Sequence, residues 1–204
     1  MLLKFLPLSS IVVTSKYGSR NITVNGHTYK WHSGVDLKDT EDHNIYNVAD
    51  GYVHYIGEDK NGYGKYIIVE HKLKDGISSY YYTLYAHMDS FSNKVERNKP
   101  INAGDILGKV GSTGASTGPH LHFEIRICDK SNLWSRGIVY EQFENAINPL
   151  PHIELREKIQ RLPVSNLTEA GFTELSEVYD PVTINFIKAY KHGDLVALKH
   201  YINF

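Results

Sequence analysis

Between residues 50 and 127 the chain is built from short runs rich in tyrosine, valine and isoleucine, each cut off by a glycine turn. The clearest are Tyr52–Ile56, Lys65–Glu70, Ser79–Tyr85 and Leu121–Ile127. β-Branched and aromatic residues in alternating runs fit a pleated surface and fit a helix poorly. Turn signals lie between them at Asp50-Gly51, Asn61-Gly62, Asp75-Gly76, Ala103-Gly104 and across Gly111–Gly118. No helical period of useful length occurs before residue 138. The expectation is a mainly β fold, an antiparallel sheet with tight connections. Tyrosines outnumber phenylalanines 15 to 7, which suggests half-exposed strands whose rings keep a polar end in water.

The character changes at Asn148-Pro149-Leu150-Pro151. Beyond it, 153–161 and 168–178 mix charged and apolar residues as helices do. Residues 181–192 and 194–202 read as a helix pair joined at Gly193, with Asp194 as a following cap. This divides the chain into a β domain, 1–150, and a helical extension, 151–204. The run His192–Tyr201 faintly resembles the opening of an ankyrin repeat, but a single unit has no neighbour on which to stack. At the other end, residues 1–13 compete between a signal peptide and a first strand over Ser10–Thr14. Lys4 follows two leucines, Pro7 interrupts the run and no small-residue cleavage site follows, so the strand is preferred. No run reaches the roughly 18 apolar residues of a membrane span.

With 22 basic and 23 acidic residues the formal charge is −1. That balance lacks the basic field of a nucleic-acid binder. One cysteine, Cys128, excludes an internal disulfide and a multi-cysteine zinc site. It reads as a structural thiol. The 11 histidines leave a histidine–carboxylate metal site open.

Three constellations carry chemistry. In His32-Ser-Gly-Val-Asp36 a straight strand would hold the two end residues roughly 13 Å apart, at about 3.3 Å per residue. A bend at Gly34 would bring imidazole and carboxylate together; the plain alternative is a surface pair. In His120-Leu-His-Phe-Glu124, strand alternation directs His120, His122 and Glu124 to one face and Leu121, Phe123 and Ile125 to the core; the alternative is two solvent-facing histidines. In Leu84-Tyr-Ala-His87, Tyr85 and His87 should share a face at a strand end. Gly114-Ala-Ser-Thr-Gly118 matches a nucleophile elbow, but Pro119 and a strand follow where that motif needs a helix.

Taken in order, His32-x-x-x-Asp36, Tyr-Ala-His87 and Gly-Ser-Thr-Gly-Ala-Ser-Thr-Gly-Pro-His120-Leu-His122-Phe-Glu resemble the lysostaphin-type (LytM-like) zinc endopeptidases. The flanks agree: Thr14-Ser-Lys-Tyr-Gly-Ser-Arg20, Val48-Ala-Asp-Gly-Tyr-Val53 and Ile101-Asn-Ala-Gly-Asp-Ile-Leu-Gly108. The resemblance covers about residues 8–149 and omits the tail. It implies that His32, Asp36 and His122 bind one Zn²⁺, and that His87 and His120 handle the water and the developing charge. Glu124, on the same strand face, is placed to support a ligand from behind, and Tyr29 is the nearest candidate for the tyrosine that family members set near the oxyanion.

The implied function is hydrolysis of peptide cross-links in bacterial peptidoglycan, either glycine bridges or bonds between D-alanine and a diamino acid, in the periplasm or cell wall. The alternatives are a non-catalytic relative that binds the wall or activates another hydrolase, and a binding module centred on the tail. The partners expected are peptidoglycan peptides, with the C-terminal helices docking into a secretion or phage-tail assembly. Residues 39–44, 58–64 and 72–79 are the expected walls of the groove.

Overall fold

Thirteen strands and one helix occupy residues 3–24, 26–72, 80–128 and 146–161, the part of the chain that the computed structural model describes. In chain order they are β1 (Val12–Ser15), β2 (Gly18–Val24), β3 (His27–His32), β4 (Val35–Lys38), β5 (Asn44–Tyr46), β6 (Gly51–Asp59) and β7 (Gly64–Lys72). There follow β8 (Tyr80–Met88), β9 (Ser90–Phe91), β10 (Pro100–Ile101), β11 (Ile106–Lys109), β12 (Leu121–Cys128), β13 (Ala146–Ile147) and α1 (Leu150–Arg161). The mainly β, antiparallel fold expected from the alternating runs is the one observed. The helices expected over 168–178, 181–192 and 194–202, the side chain of Cys128 and residues 73–79 lie outside the described residues.

The main sheet runs β1-β4-β12-β8-β7-β6-β10, with β13 added to the end of β12. A three-stranded sheet, β5-β11-β9, and the β2-β3 hairpin complete the β structure. Leu121, Phe123 and Ile125 all point to one side of β12 and are fully buried. Val35 and Leu37 of β4, Tyr85 of β8 and Ile67 and Val69 of β7 join them in the core. Leu3, Leu6 and Leu8 close that core from the N-terminal segment, Ile45 and Leu107 from the small sheet and Val48 from the segment between β5 and β6. Each such side chain contributes about 1.5–3 kcal/mol when fully removed from water.

The helix starts where the sequence changes. The Asn148 side chain accepts the Leu150 amide at 3.1 Å, and Pro149 between them has the fixed φ suited to a first helical position. Ile153 reaches into the same core and Leu150 packs against it.

The opposite face of the sheet carries a second cluster, Tyr66, Ile68, Tyr82, Leu84 and Ala86, flanked by Tyr55, Tyr63 and Tyr80. The central strands are therefore covered on both sides. The reading of half-exposed tyrosines holds for Tyr17, Tyr29, Tyr46, Tyr55, Tyr63 and Tyr80, whereas Tyr66, Tyr81, Tyr82 and Tyr85 are buried. Their hydroxyls are satisfied internally where partners are seen. Tyr85 accepts the Val48 amide at 3.1 Å and Tyr82 donates to Glu70 at 2.9 Å.

Beneath β7, His71 stacks on Tyr81 with ring centroids 4.6 Å apart. Its Nδ1 donates to the Asp50 carbonyl at 3.1 Å, and Nε2 lies 2.8 Å from the Thr83 hydroxyl. Burial pushes this imidazole down to about 4. Between pH 6.5 and 4 the unfolded chain therefore binds a proton that the folded chain refuses. Stability held by neutral His71 is complete above about pH 6.5 and falls as pH drops, by up to about 3 kcal/mol. Urea midpoints at pH 7 and pH 4.5 should differ by less in His71→Gln than in the parent chain; an equal difference in both would reject the assignment.

Candidate metal centre and active-site cleft

The pairing of β12 with β4 sets the site. Leu121 lies opposite Leu37, His122 opposite Asp36 and Phe123 opposite Val35. The apolar pairs face the core, so His122 and Asp36 share the other face as cross-strand neighbours, with Cβ atoms about 5 Å apart. His32 ends β3, and Ser33-Gly34 turns the chain back into β4. A Cβ on Gly34 would lie 2.3 Å from the Phe123 carbonyl oxygen and 2.9 Å from Glu124 Cγ. Only glycine lets the bend press this closely on β12. The result is a tight triangle. His32 Nε2 is 3.0 Å from Asp36 Oδ1, His122 Nδ1 is 3.0 Å from the same oxygen, and the two nitrogens are 2.9 Å apart.

The outer nitrogens define the inner ones. His32 Nδ1 donates to the Lys16 carbonyl at 2.8 Å, and His122 Nε2 donates to Glu124 Oε1 at 2.9 Å. Both inner nitrogens therefore present lone pairs to each other and to a carboxylate oxygen. Three such atoms demand positive charge among them, either a proton or a metal ion. Burial opposes charge on His122, but its bonds to Asp36 and Glu124 prevail and raise it to about 9. Burial likewise opposes the Asp36 carboxylate, and bonds from His122 and His32 hold it well below the usual range. Two imidazoles and one carboxylate, with the spare N–H groups anchored, form a donor set suited to zinc. Separations of 2.9–3.0 Å approach the roughly 3.3 Å kept by tetrahedral ligands about 2.0–2.1 Å from a common centre.

Glu124 is fully buried and is not isolated. Its Oε1 accepts from His122, from the Ser33 hydroxyl and from the Tyr63 hydroxyl, the last at 2.7 Å. Its Oε2 accepts Arg126 Nε at 2.6 Å, and Arg126 Nη2 donates to the Tyr63 oxygen at 3.0 Å. Burial opposes its charge, but the Arg126 guanidinium and His122 keep the carboxyl ionised.

His87 and His120 lie beside the triangle. Their rings are 4.8 Å apart, and His87 is 5.8 Å from the His122 ring. His87 Nδ1 donates to the Thr113 carbonyl at 2.8 Å and His120 Nδ1 donates to the Gly118 carbonyl at 2.7 Å. Each therefore has an unprotonated Nε2; that of His120 is 3.6 Å from Asp36 Oδ1. Burial, with the neighbouring histidines, pushes His87 down to about 3, and burial also lowers His120.

His87 corrects the expectation that it shares a face with Tyr85. Lys65 pairs with Met88 and Ile67 with Tyr85, so Ala86 and His87 both oppose Tyr66 in a bulge. With φ at 60° in the left-handed region, His87 turns out of alternation. Tyr85 stays in the core, and His87 swings to the histidine cluster.

These groups floor a cleft of about 490 Å³. One wall is the β2-β3 hairpin, with Arg20, Ile22, Tyr29 and Trp31; the facing wall is Asp59, Asn61, Gly62 and Tyr63; Ala115 and Thr117 close the end. Tyr29 lines the cleft as expected of a substrate-side residue. Residues 58–64 form a wall, whereas 39–44 do not line it. Asp39 instead gathers that loop by accepting from the Ser10 hydroxyl and the His43 amide. Ser116, the serine of the elbow-like motif, bonds within its own loop, to Ser112 at 2.9 Å and Gly118 at 2.9 Å. The nearby His120 Nδ1 already has an acceptor in Gly118, so Ser116 has no base. The bracing of Glu124 by Tyr63 and Arg126, and the hairpin wall beyond Tyr29, escape the sequence reading. Arg126 alone carried a signal: it stands two positions after Glu124 on the same strand face.

An antiparallel β scaffold with a His-Asp-His donor triangle and two neutral histidines on a cleft floor defines a candidate metallohydrolase. Residues 30–133 match peptidase family M23, more than half of the chain, and the chain belongs to that family, one of zinc metallopeptidases. Among curated proteins, it is 38% identical over 121 residues to the DD-carboxypeptidase/endopeptidase Mpg of Neisseria meningitidis, covering 59% of this chain and 26% of that protein. It is 37% identical over 98 residues to the murein hydrolase activator NlpD of Escherichia coli, covering 48% of this chain and 24% of that protein. The matched stretch thus spans about a quarter of these relatives' length. Among solved structures, the catalytic domain of the antimicrobial peptidase lysostaphin from Staphylococcus simulans shares the fold. Its TM-score is 0.53 at 24% identity, over 71% of this chain and 92% of that one. A zinc containing peptidase from Vibrio cholerae matches with a TM-score of 0.51 at 28% identity, over 62% of this chain and 37% of that one.

Proposed function

We propose that this chain is a zinc-dependent endopeptidase that hydrolyses peptide cross-links of bacterial peptidoglycan, acting in the periplasm or cell wall. The observation that carries the reading is the convergence of five side chains on one cleft floor: the His32, Asp36 and His122 donors within 4.8 Å of one another, and the His87 and His120 rings beside them. His32, Asp36 and His122 would hold the zinc. When bound, it supplies Lewis acidity toward a scissile carbonyl and toward a water molecule.

The chain's own residues do the rest. His87 and His120 each present an unprotonated Nε2, an acceptor, so one takes the proton of the attacking water there and then donates it to the leaving amine, while the other accepts the water's second O–H and holds it in line. Their Nδ1–H bonds to fixed backbone carbonyls keep both rings in register. Glu124, held by Arg126 and Tyr63, orients His122 from behind. Tyr29 contacts the bound peptide from the hairpin wall. The same proposal places the peptidase unit in residues 1–150 and treats 151–204 as an appendage to it.

Stripping metal with a chelator should abolish release of fragments from purified peptidoglycan, and added zinc should restore it. A stripped protein that cleaves at the full rate overturns the reading. Similarity to the activator NlpD supports a second reading, in which the chain binds the wall and stimulates another hydrolase. Metal content far below one equivalent, together with stimulation of an added murein hydrolase and no cleavage alone, would select it.

A further inference from the structure

Arg20 supplies none of the three donor atoms of the triangle, yet the backbone is deformed to deliver it to the cleft beside Asp36. In the β2-β3 hairpin Ser19 pairs with Trp31 and Ile22 with Tyr29, so Arg20 and Asn21 bulge opposite Lys30 alone. Bulges of this kind re-aim a side chain beside an active site. Here the guanidinium is brought to the cleft wall, with Cζ 5.8 Å from the centre of the Tyr29 ring.

Its donors are not used up there. Nε is buried with no hydrogen-bond partner. Nη1 stands 3.6 Å from Asp36 Oδ2, beyond hydrogen-bond length. A half-buried guanidinium with an unmet donor loses hydration without recovering it, a cost that a planar anion entering the cleft would remove. Asp36 Oδ2 pairs with Nη1 only across that 3.6 Å gap, and it leaves Nε without an acceptor. The wall around Arg20 is otherwise apolar or aromatic, with Ile22, Tyr29 and Trp31, and charge-assisted bonds are strong in such surroundings.

We infer that Arg20 is a specificity-determining residue that binds a substrate carboxylate carried on the carbon attached to the scissile nitrogen. The inference rests on the peptidase reading of this cleft. It narrows the substrate class by chemistry. A bond between D-alanine and diaminopimelate has a carboxylate at that carbon, and so does a peptide ending in D-alanyl-D-alanine. An amide inside a glycine bridge has none. The Nη1–Asp36 distance puts the guanidinium next to the donor triangle, so the anion it binds lies close to the bond being cut.

The test compares two cross-linked dimer muropeptides with the zinc-loaded 204-residue chain. One has the free diaminopimelate carboxylate beside the bridging nitrogen; the other has it converted to the carboxamide. The parent chain should cleave the carboxylate dimer with kcat/KM at least about tenfold higher. In Arg20→Gln that ratio should fall to about one, and Arg20→Lys, which keeps the charge without the planar fork, should restore part of it. Because both substrates are measured on each variant, loss of folded protein cancels. A parent ratio near one, or a ratio unchanged in Arg20→Gln, overturns the inference and leaves the peptidase reading standing. If the parent chain cleaves neither dimer, the peptidase reading fails, and calorimetric binding of the same dimers decides the role of Arg20. Binding of the carboxylate at least about tenfold tighter, lost in Arg20→Gln, supports it; equal binding rejects it.

Discussion

Asp36→Ala should abolish zinc binding and peptide hydrolysis together, whereas His120→Ala and His87→Ala should abolish hydrolysis and leave zinc binding intact. The difference follows from the geometry. Asp36 Oδ1 is the corner that touches both His32 Nε2 and His122 Nδ1. Without it, two imidazole lone pairs face each other at 2.9 Å with no anion to draw a cation between them. Zinc affinity should fall by orders of magnitude, since a three-ligand site loses its only charged ligand. His87 and His120 are instead tied to the backbone carbonyls of Thr113 and Gly118 and stand beside the triangle. Their loss should slow kcat on the order of 10²–10⁴-fold, as expected for a proton-transfer or charge-stabilising group. Metal analysis of dialysed variants, paired with turnover of a muropeptide, separates the two classes. A His120→Ala protein that loses its zinc along with its activity would move that residue into the ligand set.

Gly34→Ala should be nearly as damaging, although it removes no functional atom. The added Cβ would meet the Phe123 carbonyl at 2.3 Å and Glu124 Cγ at 2.9 Å. The obstacle is mostly backbone of the central strand β12, which cannot yield. The bend must therefore lift away, carrying His32 on one side and Asp36 on the other. Two consequences follow. Zinc binding weakens at least about a hundredfold, because donors set about 3 Å apart tolerate little displacement. Stability drops by about 1–3 kcal/mol from overpacking against β12. Thermal unfolding in the presence of chelator reads the second effect without the first. An alanine variant with unchanged melting and unchanged zinc affinity would show that the bend is looser than the packing implies.

How far the residues alone disclose this protein depends on which contacts are local. Along 120–125 the period of two is enough: Leu121, Phe123 and Ile125 go to the core and His122 and Glu124 to the other face, because a strand admits no other arrangement. The need for a bend at Gly34 is equally local, since an extended His32–Asp36 segment is too long to let its ends meet. The family resemblance, carried by motif order, assembles five positions that spacing alone leaves apart. His87 shows where such reasoning stops. Alternation aligns it with Tyr85, and only the bulge opposite Tyr66, with its left-handed φ, turns it toward the cleft. Four tyrosines, Tyr66, Tyr81, Tyr82 and Tyr85, mislead in the same way, because polarity suggests partial exposure, while a sheet covered on both faces buries them.

Local period is enough for the β class and for the face each residue of β12 presents, and the resemblance in motif order pointed to the donors. Folding alone settles which nitrogen of each histidine faces inward, that Glu124 is braced by Tyr63 and Arg126, and that Arg20 reaches the cleft. Those outcomes depend on carbonyls, rings and hairpin walls supplied by strands distant in the chain, and no local pattern encodes where a neighbouring strand will lie.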